Sequence, residues 1–153
     1  VARLRDPRCI YYGDVWLRHA GHTFDGPTHR IKLAHTNICQ QAILYPRLAF
    51  EKYAFHLRYR LLADHEFNMR CWADPVLRFE YVDVVLADFN DTGATGMQRD
   101  DRFQAERDDL VARYFPELAP AYRVLAAVSP RVARAADRIG MKARLKRAMR
   151  RWW

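Results

Sequence analysis

Stretches with strand character alternate with stretches of helical spacing along this chain, and that order predicts an α/β domain. Three observations carry the prediction. Cys9 to Leu17 (C-I-Y-Y-G-D-V-W-L) concentrates the aromatic and β-branched residues that strands favour. Residues 76–89 alternate in part, through Leu77, Phe79 and Tyr81, before the unbroken apolar run Val84-Val85-Leu86-Ala87. Around the second of these stretches, residues 62–72 and 100–114 space their apolar side chains as helices do. A chain of 153 residues, 50% of them hydrophobic, is long enough for one modest domain with a core.

Taken in order, the first strand, Cys9 to Leu17, gives way to Gly21, Gly26 and Pro27, which punctuate a loop or hairpin. Residues 41–45 form a second short apolar segment, and Pro46 suits the first turn of a helix carrying Leu48, Phe50 and Tyr53. Residues 62–72 have apolar side chains on all sides, which predicts a mostly buried helix. Residues 76–89 read as one or two strands, with 84–87 buried on both faces. Residues 91–96 (D-T-G-A-T-G) are a turn-rich loop, and 100–114 an amphipathic helix through Phe103, Leu110, Val111 and Tyr114, closed by Pro116. Two more helices, over 119–128 and 130–151, complete the expected order.

The bulk properties narrow the function classes. No run of about 18 uncharged apolar residues occurs, so no membrane-spanning helix is expected. The opening V-A-R-L-R-D-P-R lacks the apolar centre of a signal peptide. With no initiator methionine, the chain is expected to be the later part of a longer protein. The three cysteines, Cys9, Cys39 and Cys71, are widely separated and form no Cys-x-x-Cys pair. They fit reduced thiols of a cytoplasmic protein, neither a disulfide framework nor a zinc site. His19 and His22 flank an Ala-Gly turn and read as solvated loop histidines. The net charge of +8 lies entirely in residues 117–153; residues 1–116 carry 16 basic and 16 acidic residues. A neutral body with a cationic end argues against a nucleic-acid-binding body.

The richest stretch chemically is residues 60–70, R-L-L-A-D-H-E-F-N-M-R. Asp64 stands at the start of a helical run, where an aspartate caps orphan amide groups. Glu66 in the first turn suits the helix dipole. Capping does not exclude catalysis, since a carboxylate beside a cleft can take a proton from a substrate hydroxyl within hydrogen-bond reach. Gln41 either points into a binding site or is a satisfied buried amide. Asp14 either lines the same cleft or is held at a turn. His65 reads as a helix-surface residue before it reads as a metal ligand. Arg58 and Arg60 can meet phosphate or pair with nearby carboxylates. Asp100, Asp101, Asp108 and Asp109 are expected on the solvated face of their helix.

Several spaced segments together resemble the second half of family 2 inverting glycosyltransferases, above all bacterial members that build surface polysaccharide. They are residues 37–45 (N-I-C-Q-Q-A-I-L-Y), 55–60 (F-H-L-R-Y-R) and 63–70 (A-D-H-E-F-N-M-R), preceded by Tyr12-Gly13-Asp14-Val15. Thr92-Gly93-Ala94-Thr95 stands in the place of a Gly-Gly-x-Ser-like turn, before a helix over 103–115. The resemblance covers about residues 9–116. It implies the C-terminal, acceptor-side portion of a GT-A, Rossmann-like domain over residues 1–116. Asp64 would be the catalytic base, with Gln40, Gln41, Asp14 and Glu66 as substrate-binding residues.

The resemblance further implies a nucleotide-sugar donor, a saccharide or lipid-linked acceptor, inversion at the anomeric carbon, and a divalent Mg or Mn ion in the complete protein. This chain departs from the pattern. It has no two aspartates separated by one residue, so no Asp-x-Asp metal motif, and it lacks the Rossmann-like first half. Gln40 replaces a common His, and Ala54 with His56 replaces a common Gly-Phe-Asp turn.

Residues 117–153 are expected to form a basic amphipathic helical tail. Nine cations between Arg131 and Arg151, including Arg144, Lys146, Arg147 and Arg150, are interleaved with Val132, Ala136, Ile139, Leu145 and Met149 before Trp152-Trp153. Such a helix suits an anionic bilayer surface, each cation contributing about 1 kcal/mol, and would place the protein peripherally on the inner face of the plasma membrane. A solvated helix packed on the domain is the plainer alternative. In function, a transferase of surface-polysaccharide synthesis is the leading expectation, and a catalytically silent module that docks through its tail is the other.

Overall fold

The computed structural model describes residues 5–24, 26–90 and 99–120. Its centre is β1 (Cys9–Leu17), which the hairpin strand β2 (His22–Phe24) meets antiparallel, with Val15 opposite Phe24 and Leu17 opposite His22. Gly21 closes this hairpin at φ 70°, a left-handed backbone that glycine adopts without strain. After the short helix α1 (Arg30–His35), a single 3-10 turn over Gln40–Ala42 leads into the two-residue strand β3 (Ile43–Leu44), also antiparallel to β1. The apolar segment expected over 41–45 is therefore part turn and part strand. Pro46 stands one residue ahead of α2 (Arg47–Lys52) as its cap.

Next come α3 (Ala63–Ala73), β4 (Arg78–Phe89) and α4 (Asp101–Tyr114). β4 runs parallel to β1 along its whole length, so β2 and β3 share the opposite edge. The result is an α/β arrangement on a mixed four-stranded sheet.

The core lies where Ile10 and Tyr12 of β1 meet α1, α3 and α4. Leu33, Phe67, Met69, Phe103, Val111 and Phe115 are each 1% exposed or less. Burying a side chain of the Phe67 kind stabilises by about 1.5–3 kcal/mol. Its ring sits among Tyr45, Phe50 and Phe55 at centroid distances of 5.4, 5.5 and 4.7 Å, locking α2 and the segment after it against α3.

Two expectations about burial are corrected. Residues 84–87 are not buried on both faces: Val84, Val85 and Leu86 are exposed, because β4 is an edge strand among the described residues. Asp100 is not on a solvated face. It is the buried N-cap of α4, its carboxylate accepting from Phe103 N at 3.1 Å and, across the fold, from Leu61 N at 2.9 Å and Leu62 N at 3.2 Å. Asp101, Asp108 and Asp109 are exposed. All three cysteines are free thiols. No helix among the described residues is long and apolar enough to cross a membrane. The turn at 91–96, nearly all of the helices expected over 119–128 and 130–151, and the tail residues Arg144, Lys146, Arg147, Arg150, Trp152 and Trp153 lie outside the described residues.

Gly13 holds the β1–β4 seam. The register shifts on either side of Asp14, and a Cβ at position 13 would stand 2.5 Å from the Val84 carbonyl oxygen. Backbone cannot yield there as a flexible side chain would. Gly13→Ala is therefore expected to destabilise the domain by about 1–3 kcal/mol, as overpacking does, measured as a lowered urea midpoint with an unchanged slope.

Candidate active site

A cleft of about 370 Å³ opens at the C-terminal ends of the parallel strands β1 and β4. Open α/β sheets bind ligands outside the carboxyl ends of their strands. Val15 and Leu17 of β1, Phe24 of β2 and Phe89 of β4 supply apolar wall. Residues 37–41 and the pair Leu61, Leu62 complete it, and Asp64, Asn37, Gln40 and Gln41 bring polar groups to it. An apolar pocket with a few convergent polar groups has the usual make-up of a small-molecule site.

Asp64 reaches this cleft from the first turn of α3 without capping the helix. Leu62 occupies the cap position with no side-chain bond, so the expected cap is corrected, and Asp64 falls two residues inside. Its Oδ1 accepts from His65 N at 2.9 Å and its Oδ2 from Asn37 Nδ2 at 2.7 Å. Burial raises its proton affinity above the ordinary carboxylate range, while the donors from His65, its own backbone N–H and Asn37 oppose that rise. No ion pair joins Asp64 to a Lys, Arg or His among the described residues. A carboxylate desolvated in this way is a stronger base than one in water.

Behind Asp64 runs a polar chain that sequence reading missed. Tyr45 Oη donates to Asn68 Oδ1 at 2.7 Å, Asn68 Nδ2 to Asn37 Oδ1 at 2.8 Å, and Asn37 Nδ2 to Asp64 Oδ2. Every donor points toward Asp64. An ionised carboxylate can only accept, and that requirement sets the orientation of both amides in turn. The available signal was spacing: Asn68 follows Asp64 by four residues, so a helix puts both on one face.

Glu66 is not in the cleft. It is fully buried, where Tyr114 Oη donates to Oε1 at 2.5 Å and Arg70 Nη2 to Oε2 at 3.1 Å, with His56 Nδ1 3.2 Å from the same Oε2. Burial, helped by Glu66, pushes the Tyr114 hydroxyl up to about 12, so it stays a donor. Asp14 does not line the cleft either. It is tied down by Gly26 N at 2.8 Å and by Tyr81 Oη at 2.9 Å. His65 is not on the helix surface: it is buried, stacked on Phe103 at 4.9 Å, with Nε2 2.6 Å from the Leu33 carbonyl oxygen. Among the described residues no three His, Cys, Asp or Glu side chains converge on a point where a metal ion could sit. The described donor set therefore does not fit a divalent cation.

Comparison with known proteins adds a separate line. The chain is 40% identical over 90 residues to proteins named PGL/p-HBAD biosynthesis glycosyltransferase from Mycobacterium bovis and from Mycobacterium tuberculosis. These relatives are named glycosyltransferases. The match covers 58% of this chain and 35% of each relative, so the chain spans about a third of the length of the curated relatives it matches. No protein-family model matches the chain, and no solved structure matches it significantly.

Two predictions follow from the α3 environment. Burial lowers the His65 pKa from 6.5 to about 4, helped by Arg107 and His35 and opposed by the Leu33 carbonyl. Between these values the unfolded chain takes up a proton that the folded chain refuses, so stability falls as pH falls from 6.5 toward 4. The slope reaches about 1.4 kcal/mol per pH unit. Urea midpoints should show this slope diminished in His65→Gln, which keeps a donor for the Leu33 carbonyl. For Asp64, Asn37→Ala removes an opposing donor and should raise its titration midpoint, read by carboxyl ¹³C NMR. Tyr45→Phe should move it the same way by less, and an unmoved midpoint in both variants would show that the chain does not act on Asp64.

Proposed function

We propose that this chain is the acceptor-side portion of an inverting glycosyltransferase of the GT-A type, with Asp64 as its general base. The observation that carries the reading is the coincidence of two independent things. The chain shares 40% identity with named glycosyltransferases, and its cleft at the strand ends presents a desolvated carboxylate with no cationic partner among the described residues. In this reading an acceptor hydroxyl enters the cleft and donates to an Asp64 carboxylate oxygen. Asp64 takes the proton as the acceptor oxygen bonds to the anomeric carbon of the donor sugar. The bond from that carbon to the nucleotide's phosphate oxygen breaks on the opposite face, and configuration inverts. Gln40 and Gln41 supply amide groups at the rim, able both to donate to and to accept from sugar hydroxyls.

The nucleotide-sugar donor, and the divalent Mg or Mn ion that the resemblance implies, would be held largely by residues outside those described. The acceptor is a saccharide or a lipid-linked saccharide, and the cationic pattern of residues 131–151 supports work at an anionic membrane surface.

The test is Asp64→Asn in the protein as its own gene encodes it, assayed with a panel of nucleotide sugars and Mg or Mn. Transfer should fall by about 100- to 10,000-fold, the range general-base catalysis contributes. Folding should survive and even gain at neutral pH. A raised folded-state pKa means that ionised Asp64 opposes folding above it, and the amide removes that opposition. Undiminished transfer in a folded variant would overturn the assignment.

A further inference from the structure

We propose that the groove between residues 58–61 and the start of α4 binds a phosphate or diphosphate group beside the Asp64 cleft; to which substrate that group belongs rests on the glycosyltransferase reading. The groove holds about 490 Å³ and is lined by four arginines, Arg58, Arg60, Arg99 and Arg102, together with Leu61, Asp100 and Asp101. Leu61 also walls the Asp64 cleft, so the two spaces adjoin.

The charges decide what fits. Arg58 and Arg102 share one carboxylate, Glu106, at 3.2 and 3.0 Å, which leaves the pair with one positive charge in excess. Arg99 meets Asp101 at 3.6 Å, with both side chains largely in water, a pairing too loose to resist a doubly charged anion. Arg60 is exposed and forms no ion pair among the described residues. The remaining acid, Asp100, has its carboxylate engaged by the Leu61, Leu62 and Phe103 amides, which hold its proton affinity low against the effect of burial. Those bonds also tie the 58–62 segment to the N-terminus of α4, so the arginines project from two joined pieces of backbone. Arginine's planar fork matches phosphate oxygens two at a time, which favours phosphate over a single carboxylate.

The experiment titrates the whole chain with inorganic pyrophosphate. It follows the Leu61 and Leu62 amide resonances and the Arg60 and Arg99 side-chain Nε–H resonances, so that anions collected by residues 131–151 are read separately. These four signals should move together on one binding curve. Arg60→Gln with Arg99→Gln should weaken that curve by about tenfold or more. Arg30→Gln, an exposed arginine paired with Glu117 elsewhere, should leave it unchanged. Arg60→Gln alone removes a side chain with no ion pair among the described residues, so a weakened curve in that variant is a loss of binding and not of folding.

Shifts confined to residues 131–151, or equal weakening in Arg30→Gln, would overturn the site. Two further ligands identify the source of the phosphate. Tighter binding of UDP than of pyrophosphate assigns the groove to a nucleotide donor, and tighter binding of hexyl phosphate assigns it to a lipid-linked acceptor; either result supports the site. None of these readouts needs turnover, so an Asp64→Asn variant that still transferred sugar would overturn the catalytic reading and leave the groove standing.

Discussion

α3 is buried on nearly every side, so each of its polar side chains must find a partner inside the protein. His65 reaches the Leu33 carbonyl at the end of α1, Glu66 reaches Tyr114 of α4, and Asn68 reaches both Asn37 and Tyr45 ahead of α2. A helix stabilised by apolar contacts alone could slide or rotate at little cost. One tethered by directional bonds in three directions cannot. The same requirement that satisfies the polar groups of α3 therefore fixes its rotation, and the rotation sets which residue faces the cleft. That residue is Asp64.

Asp64 and Glu66 are two positions apart on one helix, and their surroundings give them opposite characters. Glu66 sits against the Arg70 guanidinium with a tyrosine hydroxyl closing its other oxygen, an arrangement that stabilises the charge and hides it. Asp64 receives only amide donors, and burial dominates its proton affinity. The nearby cations are engaged elsewhere: Arg70 on Glu66 and the Ala54 carbonyl, Arg107 on the carbonyls of Ala34 and His35. The two carboxylates thus differ in what they meet: Glu66 is enclosed by a cation and a hydroxyl, and Asp64 borders the cleft. Loss of the Glu66–Arg70 pair would leave a buried charge uncompensated, a cost of about 3–5 kcal/mol, so Glu66 is needed for folding whatever Asp64 does.

Much of this was legible in the chain, and what was not has a common cause. The strand at Cys9–Leu17, the all-round apolar helix and the amphipathic helix ending at Tyr114 are set by local periodicity, and the structure has them. Side-chain partners across long separations left no such trace. Asp100 looked like one of four solvated acids, yet amides nearly forty residues earlier claim its carboxylate. His65 was expected on the helix surface and Glu66 among the substrate-binding residues, because an all-round apolar pattern predicts a buried helix without naming the partner that each polar group meets. The run Val84 to Ala87 shows what a strand can tolerate, not what covers it, and among the described residues no strand pairs with its outer edge. Asn37 was quoted as part of a resembling segment without a role, since its role exists only once Asp64 and Asn68 are placed beside it.

Chain direction explains why the cleft lies where it does. Antiparallel neighbours can be joined by a tight turn, as β1 and β2 are, but the parallel pairing of β1 with β4 demands a long crossover. That crossover carries β2, β3 and all of α1, α2 and α3, so nearly every cleft residue outside β1 and β4 comes from it, including the segment 37–41 and Leu61 to Asp64. Having left the C-terminal end of β1, the chain must return to the N-terminal end of β4, and its loops pass both ends of the sheet. Those that stay near the C-terminal ends build the walls of a cleft whose floor is the strands themselves. A site made of crossover loops is held only as firmly as the crossover is held. The hydrogen bonds of α3 and the Asp100 bridge to residues 61 and 62 supply that hold from two different elements.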